Sequence, residues 1–271
     1  MDTKNLSQIE YDYEDFYMAH RFNIYNKKDV LSKHIHDCYE VIFVKKGEFK
    51  YYYEDSSLVV QDGDLLITPP HVYHYFVAEN TNKCERYIML IKSAELQSFI
   101  KVNKPSKINI MDNEILHSVF SRFDYYNENT SCKVYSDNAK NLITYLVSEL
   151  LINLSNIKDF DSVDRSFSNP ILSSIVKYVN DNLDEISTAN ALIEKFHISE
   201  SYLHKLFKKY LKITPKEYLV LKKMSLAKRL LSEGVLLSEI ATQCGFSSYT
   251  AFYRTFIKYY KKNPAKMVEK K

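Results

Sequence analysis

The sequence predicts an α+β protein of two domains: a small N-terminal β-barrel with attached helices, then an all-α C-terminal domain. Three observations predict it. Between residues 16 and 92, short β-rich runs alternate with turn signals, and beyond residue 110 apolar residues recur at helical spacing. The segment Ser199-Glu200-Ser201-Tyr202-Leu203-His204-Lys205-Leu206-Phe207 is matched 49 positions later by Ser248-Tyr249-Thr250-Ala251-Phe252-Tyr253-Arg254-Thr255-Phe256. Charge divides at the same place. Residues 169–271 carry 18 Lys and Arg against 9 Asp and Glu, net +9, whereas residues 1–168 carry 19 against 25, net −6. The basic half is therefore the one expected to face a polyanion.

The N-terminal elements follow in order. Val41-Ile42-Phe43-Val44 is a strand ended by Lys45-Lys46-Gly47, and residues 49–53 form the next. A turn is expected at Glu54-Asp55-Ser56-Ser57. Leu58-Val59-Val60 then leads to the Asp62-Gly63 turn, Leu65-Leu66-Ile67 to the Pro69-Pro70 break, and 87–91 is a further strand. Short strands with frequent turns indicate a small barrel or sandwich. Helices are predicted at 114–126 and 134–154. In the second, Leu142, Tyr145, Leu146, Glu149, Leu150 and Asn153 form one stripe expected to pack on the barrel, leaving apolar surface for a dimer contact. Residues 156–169 are polar and read as a linker. The domains are thus expected at 1–110 (barrel), 111–168 (helical dimerisation region and linker) and 169–271 (helical domain).

In the last domain, helices are predicted at 170–182, 189–196, 199–211, 215–232, 238–243 and 248–260. Thr214 is a good N-cap with Pro215 at the first helical position, Gly234 stops the long helix, and Gly245 sits in the last turn. A short helix, a tight turn and a second helix, occurring twice at 189–211 and 238–260, is the layout of paired helix-turn-helix units. In such a unit the second helix enters the major groove of DNA. Leu203, Leu206, Phe207 and Tyr210, and then Phe252, Phe256 and Tyr259, are the expected anchors to the domain. The opposite face is left to read bases: Ser201, His204 and Lys205 in the first copy, Thr250, Tyr253 and Arg254 in the second, with Tyr249 ahead of them. Lys205 and Arg254 suit guanine, and Ser201 and Thr250 donate or accept. Lys208, Lys209, Lys212, Lys258 and Lys261 are expected at phosphates.

The last hundred residues resemble the AraC/XylS family of bacterial transcription regulators. The closest stretch is Ile240-Ala241-Thr242-Gln243-Cys244-Gly245-Phe246-Ser247-Ser248, leading to Phe252-Tyr253-Arg254-Thr255-Phe256. The resemblance implies promoter DNA as partner, with Ser201, His204, Lys205, Thr250, Tyr253 and Arg254 at base-reading positions. It also implies a homodimer, an activator's contact with RNA polymerase, and a cytoplasmic location. The sequence departs from the family's pattern at Ile193, His197, Ile257 and Met267-Val268.

His34-Ile35-His36, Glu40, Gly47, Gly63, Pro69, His71 and His74 resemble the two cupin motifs, with His71 and Ala78 departing from the second. Histidines two apart on a strand point the same way, and Glu40 and His74 can join them. Three readings compete. The group serves an effector pocket (His34, His36, Glu40, His74, Tyr51 and Tyr53, for a sugar or another polar metabolite), or a catalytic metal site, or only structure and dimerisation. The AraC resemblance favours the effector pocket; no catalytic residue, metal or cofactor is assigned. Tyr73, Tyr75 and Phe76 alternate with Tyr51 and Tyr53 on nearby strands; such aromatics suit a polar metabolite, and a tyrosine-rich barrel core predicts the same residues. A DNA-bending protein without sequence preference is the remaining alternative. No apolar run reaches the length of a membrane span, and the polar N-terminus holds no signal core. Cys38, Cys84, Cys132 and Cys244 form no paired motif and are expected as free thiols.

Overall fold

The computed structural model describes residues 5–78, 82–128, 133–158, 160, 165–166 and 169–268. Strands β1 (Asn5–Asp12), β2 (Phe16–Tyr25), β9 (Asn82–Ile91), β4 (Tyr39–Lys46), β7 (Asp64–Thr68) and β10 (Ser106–Asn109) form one antiparallel sheet in that order. The second sheet runs β11 (Arg165–Ser166), β6 (Ser56–Val60), β5 (Phe49–Tyr53), β8 (His74–Ala78) and β3 (Val30–His34). The two face each other across a core of Ile42, Val44, Phe49, Tyr51, Tyr53, Leu66 and Phe76.

The layer order explains the apolar run in β4. Val41 and Phe43 pack outward against α2 (Glu114–Glu128) and α3 (Lys133–Ser155), while Ile42 and Val44 pack inward against the second sheet. A strand covered on both faces reads as a continuous apolar stretch. A short helix, α1 (Ala94–Gln97), follows β9. The outer face of the second sheet is covered too, by the helical domain: Tyr73 and Tyr75 share a core with Leu172, Ile175, Leu203, Phe207 and Tyr218.

That domain comprises α4 (Pro170–Asp181), α5 (Ala189–Phe196), α6 (Glu200–Leu206) with a π-helical turn at Phe207–Leu211, α7 (Pro215–Ser232), α8 (Leu237–Gln243), α9 (Tyr249–Tyr260) and α10 (Ala265–Val268). Thr214 and Glu217 form the full capping box of α7. The first half of α7 lies in the core around α4 to α6, and its second half in a separate core with Ile240, Phe252 and Phe256. Among the described residues no helix is long and apolar enough to cross a membrane. Cys38 and Cys244 are free and buried, and Cys84 is buried; Cys132 lies outside the described residues.

Four sequence expectations need correction. The turn after β5 is only Glu54-Asp55, because Ser56 and Ser57 already pair with Tyr53 and Tyr52. The buried stripe of α3 is Ile143, Leu146, Val147, Leu150, Leu151 and Leu154, whereas Tyr145 is 72% exposed. Apolar and polar residues are poorly segregated around this helix, so spacing alone left its inward face ambiguous. Part of the expected linker adds β11 to the edge of β6; a two-residue strand held by backbone bonds has no side-chain signature. Strands β1 and β10 carry no signal of their own for a related reason, being short or polar segments recruited by neighbours.

Candidate DNA interface and ligand site

The repeated segment begins in both copies with a helix cap. The side chain of Ser199 accepts from the backbone N–H of Tyr202, and that of Ser248 from Ala251, each at 3.2 Å. Ahead of the caps the chain turns through left-handed residues, His197 at φ 49° and Gly245 at φ 66°. Equivalent bonds close the two turns, Ile198 N–H to Ile193 and Phe246 N–H to Ala241, but the second has one more residue before its cap. For a histidine the left-handed region costs about 1–2 kcal/mol. His197→Gly is expected to raise stability by up to about 1 kcal/mol once glycine's extra chain entropy is counted; a denaturant midpoint that falls would contradict this.

Leu203, Leu206 and Phe207 anchor α6, and Phe252 and Phe256 anchor α9. Tyr259 does not anchor: it is 38% exposed, and the neighbouring Tyr260 packs on Phe256 at 4.7 Å and donates to the carbonyl of Met224. One helical step of 100° decides which of two adjacent tyrosines faces inward. Tyr210 is half-buried. On the opposite face Ser201, Lys205, Tyr249, Thr250 and Arg254 are exposed, and His204 and Tyr253 are partly so. Lys208, Lys209 and Lys258 are exposed farther along the helices. Glu200, also exposed, stands where the second copy has Tyr249 and lies 4.0 Å from His204.

The two units are bolted together. Lys223 of α7 donates to the carbonyl of Gly245 at 2.6 Å and to that of Ser187, before α5, at 3.2 Å, with its ammonium 4.8 Å above the Phe246 ring. Burial pushes this ammonium down to about 8. At 18 residues α7 spans about 27 Å.

In the N-terminal domain, His34 ends β3, Glu40 faces inward from β4 and His74 inward from β8. His36 lies beyond the strand end, in the loop, rather than on the strand. The four still converge: their ligand atoms lie within 4.8 Å of one another. His74 Nε2 is 3.0 Å from Glu40 Oε2, and His36 Nε2 is 3.5 Å from Glu40 Oε1. Burial alone would raise Glu40, but His36 and His74 together outweigh it and hold the carboxyl well below its usual range. His74 Nδ1 is 3.0 Å from the carbonyl of Val72, which can only accept, so Nδ1 carries the proton. With Nδ1 engaged in this way, it is Nε2 that faces the Glu40 carboxylate oxygen at 3.0 Å. A second proton or a cation between them satisfies both. Among the described residues both atoms, and His36 Nε2, are buried without a well-aligned hydrogen bond. Three imidazoles and one carboxylate, with one imidazole oriented by a carbonyl, fit a divalent first-row transition ion. Tyr51 walls the cluster, its ring 5.6 Å from His74 and its hydroxyl 2.8 Å from Thr68 Oγ1. Tyr53 lies one step farther, at a cleft of about 570 Å³ shared with α4.

Residues 16–122 match the family profile of the AraC-like ligand binding domain, and residues 192–270 match that of the helix-turn-helix domain. The chain belongs to the AraC family of transcription regulators. The Msm operon regulatory protein of Streptococcus mutans serotype c is 23% identical to this AraC-family regulator over 253 residues, 86% of this chain and 84% of its own. The probable transcriptional regulator LumQ of Photobacterium leiognathi is 25% identical over 242 residues, 86% and 90% respectively. Among solved structures, ToxT from Vibrio cholerae with unsaturated fatty acid bound aligns over 96% of this chain and 97% of its own, at 13% identity and a TM-score of 0.38.

Sequence reasoning missed the residues that dock the two domains of this AraC-family regulator. Glu54, in a left-handed turn at φ 44°, accepts from the Tyr218 hydroxyl at 2.5 Å and pairs with Lys222. Lys222 also donates to the carbonyl of His71 at 3.0 Å, and His71 Nδ1 shares a hydrogen bond of 2.7 Å with Ser225. His71 is itself left-handed at φ 67°, which is why a glycine suits that place in the second cupin motif. Tyr73 and Tyr75 do not join the pocket: strand alternation turns His74 and Phe76 inward and these two toward the helical domain. No local signal marks Glu54 and Lys222 as partners, because they lie 168 positions apart in the chain.

Proposed function

We propose that this AraC-family regulator reads a promoter through two successive major grooves of one duplex face, under the control of a ligand at the histidine cluster. In this reading Arg254 and Lys205 contact guanine, with Ser201, His204, Tyr249, Thr250 and Tyr253 completing the base contacts. Lys208, Lys209 and Lys258 hold phosphates. The supporting observation is the pair of capped helices, each anchored by buried aromatic or leucine residues, displaying the same face at the two ends of an α7 about 27 Å long. One DNA turn is about 34 Å, which such a spacer and its two helices can match.

Site selection from random duplexes tests this. Two clusters of constrained bases about one turn apart are expected; a single cluster, or none, would remove the two-groove reading and leave a DNA-bending role. Lys209→Ala is expected to weaken binding evenly across sequences and to reduce the salt slope by about 1. A changed base preference would contradict its phosphate role.

The effector site comprises His34, His36, Glu40 and His74, flanked by Tyr51 and Tyr53, and takes a polar metabolite such as a sugar. A divalent ion as the effector, or as part of its site, is a second reading favoured by the geometry of the cluster, in which His74 Nε2 faces Glu40 Oε2 and the four ligand atoms lie within 4.8 Å of one another. Cobalt(II) titration distinguishes them. The ion reading expects saturable binding with visible absorption, lost in Glu40→Gln; no binding, or binding unaffected by that change, removes it. The regulator acts without catalysis, in the cytoplasm, as a homodimer that contacts RNA polymerase. Exposed Ile115, Tyr145 and Ile152 on α2 and α3 support a dimer face there.

A further inference from the structure

We propose that Tyr73 and Tyr75 are positioning residues for the first reading helix, and that strands β3 and β8 transmit the state of the histidine cluster to it. This rests on the reading of α6 as a DNA-reading helix and of the cluster as the effector site.

The end of α6 passes into a π-helical turn, Phe207–Leu211, and closes at Lys212 in the left-handed region. Terminal carbonyls of a helix lack partners within it, and π turns are rare and concentrate at functional sites. Here three successive carbonyls are capped from the other domain. The Tyr75 hydroxyl donates to Tyr210 at 2.6 Å, the Tyr73 hydroxyl to Leu211 at 2.7 Å, and Lys33 Nζ to Lys212 at 3.2 Å.

Each capping residue is a chain neighbour of a cluster histidine. Lys33 precedes His34 on β3, and Tyr73, the residue just before β8, and Tyr75, on it, bracket His74. The two strands pair with His34 directly opposite His74, and their rings stand 4.3 Å apart. Successive side chains of a strand point to opposite faces, so the cluster and the caps are two sides of the same backbone. A ligand that draws His34 and His74 together shifts that backbone, and with it the hydroxyls and ammonium that hold the helix end. The domains stay joined meanwhile by Glu54, Tyr218 and Lys222, which lie outside the cluster. The shift therefore acts on the seating of α6 without separating the domains. Capping α6 in its seated form favours DNA reading, because a helix ordered before binding loses less freedom on binding.

The test uses the full chain and a selected DNA site, with each half-site scrambled in turn. Tyr73→Phe/Tyr75→Phe keeps both rings and removes both caps. It is expected to lower affinity about tenfold, with the whole loss in the half-site read by α6 and faster amide exchange across 207–213. An equal loss in both half-sites, or unchanged exchange, would overturn the positioning role. His36→Ala and His74→Asn are then placed in both backgrounds. Each is expected to alter discrimination at the α6 half-site threefold or more with the tyrosines present and not with phenylalanines; equal effects in the two backgrounds would refute transmission. His36 is partly exposed, so its variant decides the matter if His74→Asn does not fold. The cycle needs no effector, so a missing effector leaves its outcome intact. Failure of DNA reading itself is seen separately, as loss of any half-site preference in the wild type.

Discussion

Arg254→Ala is expected to lower affinity for the selected site by about 1–3 kcal/mol, roughly 5- to 150-fold, and to relax one base position in the half-site read by α9. The guanidinium is exposed one turn into a helix whose inner face is fixed by Phe252 and Phe256, and among the described residues it makes no ion pair. It is therefore free for the two parallel hydrogen bonds that guanine offers in the major groove. Fluorescence anisotropy on the site and on its single-base variants measures both effects. Unchanged affinity would reject the assignment. An even loss across all variants would instead make Arg254 a phosphate contact.

Gly245→Ala is expected to destabilise the second helix-turn-helix by about 3 kcal/mol, combining the left-handed penalty with overpacking. A methyl group there would lie 2.5 Å from the carbonyl oxygen of Leu183 and 2.8 Å from that of Asp184. Both are backbone atoms of the loop between α4 and α5, so no side chain can turn aside. The Gly245 carbonyl also accepts from Lys223, and a displaced turn would loosen the joint between the two units. For a domain of about 100 residues the loss corresponds to a fall of more than about 10 °C in Tm. Footprinting is expected to fade first at the α9 half-site, although Arg254 is untouched. A Tm within two or three degrees of the wild type, with both footprints intact, would contradict this.

Most helices of the C-terminal half were legible within a residue or so, the exceptions being α10 and the π-helical turn that ends α6. α5 and α7 match their expected bounds, because caps and stops such as Thr214, Pro215 and Gly234 are local signals. The convergence of the four cluster residues was legible as well, although strand alternation accounts for Glu40 and His74 and not for His36, which lies in the loop beyond β3. Tyr259, the stripe of α3 and the facing of Tyr73 and Tyr75 were not. Each depends on which of two adjacent residues, or which of two faces, meets a partner far away in the chain.

The sequence by itself determined two capped, matching helices, the residues they expose and the groups that could meet in the barrel. Those follow from backbone preference, helical and strand periods and charge, all of which act over a few residues. Tertiary structure decided how the parts bear on one another. It set the Lys223 and Gly245 joint between the reading units, the Glu54–Lys222 dock between domains, and the strands that carry cluster histidines on one face and helix caps on the other. These contacts join residues separated by 22 to 168 positions. They form only when whole surfaces pack, so no short stretch of sequence specifies them.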